Sequence, residues 1–125
     1  MIEVNYWPRE LRLTVKGHAK DENMEGNPLV CSAASMLVFS LMNTMDGFND
    51  RKWAKCVYFE SDGEAYMRMF KPKRLRFKAL RVAMGMTLGG LAMLEKEYPD
   101  LVKVEVCTGK QFDDKAAIER ALGEA

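Results

Sequence analysis

His18 is the one histidine of the chain, and Cys31 follows it by thirteen residues. A thiol and an imidazole suit nucleophilic catalysis: the imidazole takes the thiol proton and later returns it to a leaving amine. Cys31 opens the long apolar run Val30 to Met45. If that run is a helix, its N-terminus presents partial positive charge and free backbone N–H groups, which favour an anionic sulfur and a transient oxyanion. From the residues alone a plainer reading stands beside this one. His18 would then be a loop histidine bonded to backbone, and Cys31 a small buried hydrophobe, as cysteines usually are.

Several elements must place these two residues. Ile2, Val4 and Tyr6 alternate with Glu3 and Asn5, then Leu11, Leu13 and Val15 alternate with Arg12, Thr14 and Lys16 across a break at Pro8 to Glu10. The pattern predicts a β-hairpin. Residues 17–30 read as a polar loop, with Gly17, Gly26, Asn27 and Pro28 as breakers. The run from Val30 to about Met45 is apolar on nearly all sides, which predicts a buried helix that Asp46-Gly47 ends. Trp53 to Phe59 and Ala65 to Phe70 flank the turn Ser61-Asp62-Gly63 and predict a second hairpin with two apolar faces, one for the core and one for a partner. Leu80, Met84, Leu88, Leu91 and Leu94 recur at three or four residues, predicting a helix from Ala79 to Tyr98. Leu101 to Val106 alternates as a last strand, and residues 112–123 read as a weakly amphipathic helix. The order ββαββαβ predicts an α+β fold, a mostly antiparallel sheet with two packed helices and a short C-terminal helical extension. Residues 1–107 form one domain on this reading and 108–125 an extension.

Composition narrows the function. The chain has 125 residues, 48 % apolar and 30 % charged, enough for one real core. Nineteen Lys and Arg against eighteen Asp and Glu give a net charge of +1, with no global pull toward nucleic acid or membrane. Three cysteines (Cys31, Cys56, Cys107) cannot all pair, and none has metal-ligand spacing, so reduced thiols in the cytoplasm and no metal or other cofactor are expected. No uninterrupted apolar run approaches the roughly 20 residues of a bilayer span, and MIEVNYWPRE is not a signal peptide. Met36, Met42, Met45, Met84, Met86 and Met93 read as core filler. Cys56 and Cys107, in and at the end of strands, are expected to be structural.

Gly17-His18-Ala19, a short polar loop, and then Gly26-Asn27-Pro28-Leu29-Val30-Cys31-Ser32-Ala33-Ala34-Ser35 resemble the signature of the ribosomal-processing cysteine protease family, Prp. That signature is GHA, a loop, then G-x-D-I-V-C-A-x-x-S. The resemblance spans roughly residues 1–107. It implies that His18 and Cys31 are catalytic, and that Gly17, Gly26 and Ser35 bind substrate. Ser35 lies one helical turn beyond Cys31 and on its face. Two departures accompany the match: Pro28 stands where the family has Asp, and the loop is one residue longer. A carboxylate role for the family Asp would pass to Asp21, Glu22 or Glu25.

The resemblance further implies an endopeptidase that removes the N-terminal extension of a large-subunit ribosomal protein, acting as a homodimer. A phage-type relative that processes virion proteins is the alternative. So is a non-catalytic module that uses Lys71, Lys73, Arg74, Arg76, Lys78 and Arg81 on RNA. The balanced net charge favours reading that basic stretch as a solvated edge, and neither membrane nor nucleic acid is an expected partner.

Overall fold

The computed structural model describes residues 1–19 and 26–107. Five strands, β1 (Ile2–Trp7), β2 (Arg12–Lys16), β3 (Lys55–Ser61), β4 (Glu64–Phe70) and β5 (Val102–Val106), form one sheet in the order β3-β4-β2-β1-β5. Two long helices, α1 (Pro28–Asp50) and α2 (Phe77–Glu97), complete the expected ββαββαβ order. The hairpins β1–β2 and β3–β4 are antiparallel and join through an antiparallel β2–β4 ladder, while β5 runs parallel to β1 at the far edge. The fold is α+β and mostly antiparallel, as the patterning predicts.

Strand alternation decides where the core lies. Ile2, Val4, Tyr6, Leu13, Val15, Ala65, Met67 and Met69 point to one face, where they pack with Val30, Ala34, Val38, Leu41 and Met45 of α1 and Leu80, Met84 and Leu91 of α2. The alternate residues of β3 and β4 form a separate cluster of Val57, Phe59 and Tyr66, with Phe70 against it. No helix residue belongs to this second cluster among the described residues. The sheet therefore has two apolar faces at its β3–β4 end.

Helix α1 departs from expectation at its C-terminal end and in its burial. It runs through Asp46 and Gly47 to Asp50. A mid-helix glycine costs about 1 kcal/mol, and the extra turn offsets that with tertiary contacts. Phe48 is buried and stacks on Trp53 at 5.5 Å. Asn49 accepts from the Cys56 N–H at 2.7 Å and donates to its carbonyl at 2.9 Å, tying the helix end to β3. The helix is not buried all round. One row packs on the sheet, while Leu29, Met36 and Phe39 are exposed. Of the methionines expected in the core, Met42, Met45 and Met84 lie there, but Met36, Met86 and Met93 face outward. Periodicity could not separate the two sets, because apolar residues on this chain's helices exceed what one sheet face can cover. By length and apolarity both helices also reach the range of a bilayer span, which an uninterrupted-run criterion overlooks. Each nevertheless seats its buried row on the sheet, as the core helix of a globular domain does.

The basic segment between β4 and α2 passes through a short 3-10 turn, Arg74–Arg76, before the helix. Arg76 stacks 4.4 Å over the Trp53 ring, and Lys73, Arg74, Lys78 and Arg81 are exposed. The expected C-terminal helix lies outside the described residues.

Candidate active site

Cys31 sits in the first turn of α1, and local chemistry fixes that turn. Asn27 is the N-cap, its side chain accepting from the Val30 N–H at 3.2 Å. Pro28 occupies the first helical position, where its missing N–H belongs to a group with no helical partner in any case. The family Asp is thus replaced by a residue that stiffens the helix start. The Cys31 N–H closes the first helical bond to the Asn27 carbonyl at 3.1 Å. The start of the helix offers fewer free donors than the sequence suggests. Pro28 has none and those of Val30 and Cys31 are engaged, which leaves Leu29 as the first-turn N–H that the helix itself does not use.

The segment leaving β2 meets this turn twice. The Ala19 N–H donates to Cys31 Sγ at 3.3 Å, and the Ala19 carbonyl accepts from the Asn27 N–H at 2.8 Å. Ala19 is fully buried. Two residues earlier, the Gly17 N–H donates to the Gly63 carbonyl at 2.7 Å, which fastens the start of the segment to the β3–β4 turn. Gly17 adopts φ +96°, and a Cβ there would run into the Met1 carbonyl. Glycine is the residue for that position.

His18 stands between these anchors, half exposed. Its Nε2 lies 3.7 Å from Asp62 Oδ1 of the β3–β4 turn. Gly63, at φ +74°, leaves room for the ring: a Cβ there would lie 2.9 Å from His18 Nε2. Asp62 is the carboxylate facing His18 among the described residues, whereas Asp21, Glu22 and Glu25 lie outside them. From the sequence Asp62 reads only as a turn residue. The available signal was the register: β2 pairs with β4, so the residues after β2 and the turn before β4 end at the same edge of the sheet.

His18 and Cys31 line one cleft of about 180 Å³, together with Gly17, Ser35, Asp62 and Gly63. Its walls are the N-terminal half of α1 and the ends of β2 and β4. Ser35 is exposed one turn beyond Cys31, where the helical spacing puts it. Gly26 does not line the cleft. The other thiols lie elsewhere. Cys56 is buried in β3, where desolvation and the Asp46 carboxylate push its pKa up to about 12. Cys107 follows β5 at the opposite end of the sheet, its pKa raised by burial and by Glu105. No group of three or more His, Cys, Asp or Glu that could hold a metal occurs among the described residues.

An open thiol and an imidazole on one cleft, carried by a sheet with two helices on one face, fit the cysteine proteases as a class. Residues 1–103 match the family model described as cysteine protease Prp, and the chain belongs to that family. It is a cysteine protease by that membership. The fold agrees with solved structures. The essential ribosomal processing protease Prp from S. aureus, in complex with a covalently linked product peptide, superposes with a TM-score of 0.66 at 19 % identity, covering 86 % of this chain and 100 % of that one. Its complex with a substrate peptide gives 0.61 at 17 %, covering 87 % and 100 %. A protein of Streptococcus mutans gives 0.58 at 20 %, covering 86 % and 93 %. No curated protein matches.

Proposed function

We propose that the chain is a cytoplasmic cysteine endopeptidase in which Cys31 is the nucleophile and His18 the general base. One observation carries the reading: the Cys31 sulfur, held by the Ala19 N–H in the first turn of α1, opens onto the same cleft as His18. His18 takes the thiol proton, and Cys31 Sγ attacks the scissile carbonyl, forming the S–C bond. The oxyanion draws on the helix N-terminus, with the Leu29 N–H as the available first-turn donor. Collapse breaks the C–N bond, and His18 gives its proton to the leaving amine. Water then attacks the thioester, His18 accepts its proton, and the S–C bond breaks to release the acid and the thiol.

The substrate we infer is an extended peptide, the N-terminal extension of a large-subunit ribosomal protein. Support comes from the family match and from the relative in S. aureus whose structures hold substrate and product peptides. Gly17 and Ser35 flank the two reacting groups and would contact the peptide backbone. The enzyme acts as a homodimer on this reading. Met36 on α1 and Val82, Met86 and Met93 on α2 are exposed and apolar, the kind of surface that a second copy covers.

Mass spectrometry of candidate peptides incubated with the wild-type chain and with Cys31→Ala tests the proposal. Cleavage of the ribosomal extension by the wild type alone supports it. Cleavage only of virion-protein peptides would move the substrate to the phage class, and cleavage that survives Cys31→Ala would end the thiol mechanism.

A further inference from the structure

Strand β3 is one edge of the sheet, and the parity of the ladder fixes which of its backbone groups face outward. The Met69 N–H donates to the Leu11 carbonyl and the Gly17 N–H to the Gly63 carbonyl, so the odd-numbered residues of β4 turn their backbone groups toward β2. The even-numbered residues of β4 bond to β3, through Ser61, Phe59 and Val57. Cys56, Tyr58 and Glu60 therefore turn their N–H and C=O groups away from the sheet. Cys56 bears this out, because the Asn49 side chain takes both its N–H and its carbonyl from outside. The far edge is capped in a similar way: on β5 the Val102 N–H meets the Tyr98 carbonyl at 3.1 Å and the Val104 N–H meets the Glu95 carboxylate at 2.7 Å. Among the described residues, the outward backbone groups of Tyr58 and Glu60 have no such cap. An uncapped edge is a template for another strand.

This open stretch adjoins the catalytic cleft. A groove of about 440 Å³ runs beside it, lined by Phe39, Asn43 and Asp46 of α1 and by Tyr58 and Glu60 of β3. Phe39 and Glu60 also line the cleft of His18 and Cys31, so the two cavities share a wall. The groove is braced where it leaves the cleft: the Tyr58 hydroxyl donates to the Asp46 carboxylate at 3.0 Å.

We propose that the peptide substrate adds to the sheet as a sixth strand, its backbone pairing with Tyr58 and Glu60 at the open edge of β3. The inference rests on the endopeptidase reading and gives it a mode of recognition, in which main-chain bonds hold an extended segment and side-chain contacts refine the choice. Asn49 sets the limit of the pairing, since it already occupies Cys56, the next outward residue. On the α1 side, Phe39 is 47 % exposed and offers an apolar rest for a peptide side chain. The substrate class is an extended, unfolded segment that continues beyond the scissile bond along β3. A compact turn or a proline in that stretch could not make the bonds.

The test uses the full chain and a synthetic peptide that copies the ribosomal extension across its cleavage site. In the Cys31→Ala chain without peptide, the Tyr58 and Glu60 amides should exchange fast. Saturating peptide should slow both at least tenfold, read by NMR hydrogen exchange. Unchanged exchange with a peptide that the wild type cleaves would overturn the strand pairing and leave the protease reading standing. A peptide that the wild type does not cleave would remove the protease reading, and this inference with it. Protection that needs no peptide and rises with protein concentration would assign the edge to a second copy and also overturn the proposal. Glu60→Pro deletes the outward N–H at an edge position that admits proline, whereas Glu60→Ala keeps it. The proline variant should show kcat/KM about tenfold below the alanine variant, and equal values would count as a refutation.

Discussion

The backbone N–H of Ala19 donates to the sulfur of Cys31 at 3.3 Å, and this bond joins the strand that delivers the histidine to the helix that delivers the thiol. The Ala19 carbonyl returns a second bond to Asn27. The two bonds tie the backbone next to His18 to the first turn of the helix that carries Cys31.

The three thiols will react in a fixed order. Cys31 opens onto the cleft and is expected to be alkylated first. Cys56 is buried with its pKa near 12, so at pH 8 only about one molecule in 10⁴ carries its thiolate. Peptide mapping after a timed iodoacetamide pulse at pH 8 should find Cys31 labelled, Cys107 lagging and Cys56 unmodified until the protein unfolds.

Gly63→Ala is expected to damage activity more than stability. The new Cβ meets His18 Nε2 at 2.9 Å and the residue must hold φ +74°. The backbone strain costs on the order of 1 kcal/mol, while a displaced imidazole lowers kcat/KM by roughly 10²-fold. Thermal melts and peptide cleavage measured together separate the two effects.

Asp62→Asn should have a modest effect on the same assay. The pair spans 3.7 Å and Asp62 is almost wholly exposed. Exposed pairs contribute at most about 1 kcal/mol, so kcat/KM should fall no more than about fivefold, and less at high salt. A loss of several hundredfold would give Asp62 a larger part than its exposure allows.

Asn49→Ala removes both hydrogen bonds to the Cys56 backbone. The expected loss is about 2 kcal/mol, read from the urea midpoint, with alkylation of Cys31 unchanged because that residue lies at the other end of α1.

Stability should fall at high pH. The folded chain raises the Cys56 pKa above the ordinary 9.0 of a thiol and raises the Tyr6 and Tyr66 phenols above 10.0, burial being the first cause in each. Folding therefore retains protons that the unfolded chain releases. Their contribution is complete below pH 9 and is lost as pH climbs toward 12. Chemical denaturation between pH 8 and 11 should show this decline, with Cys56→Ala reducing its early part.

Much of this was readable from residue order. Period-two alternation marks four of the five strands and aromatic and β-branched content marks β3, while the GHA-to-Cys31 spacing picks out two residues that line one cleft. Tertiary contacts decided what remained. Gly47 reads as a stop, but Phe48 and Asn49 find partners beyond it. Met86 and Met45 look alike in sequence and differ only in which side of a helix meets the sheet. Asp62 reads as turn filler until the β2–β4 pairing carries it to the histidine. No local pattern encodes pairing between strands some fifty residues apart.

That central ladder has a bearing on when the enzyme becomes dangerous to its surroundings. The hairpins are local and form early; the seam between β2 and β4 closes a long stretch of chain and forms late. Until it zips, the imidazole has no wall beside it. Only when β2 and β4 are paired do Asp62 and Gly63 stand beside the His18 ring.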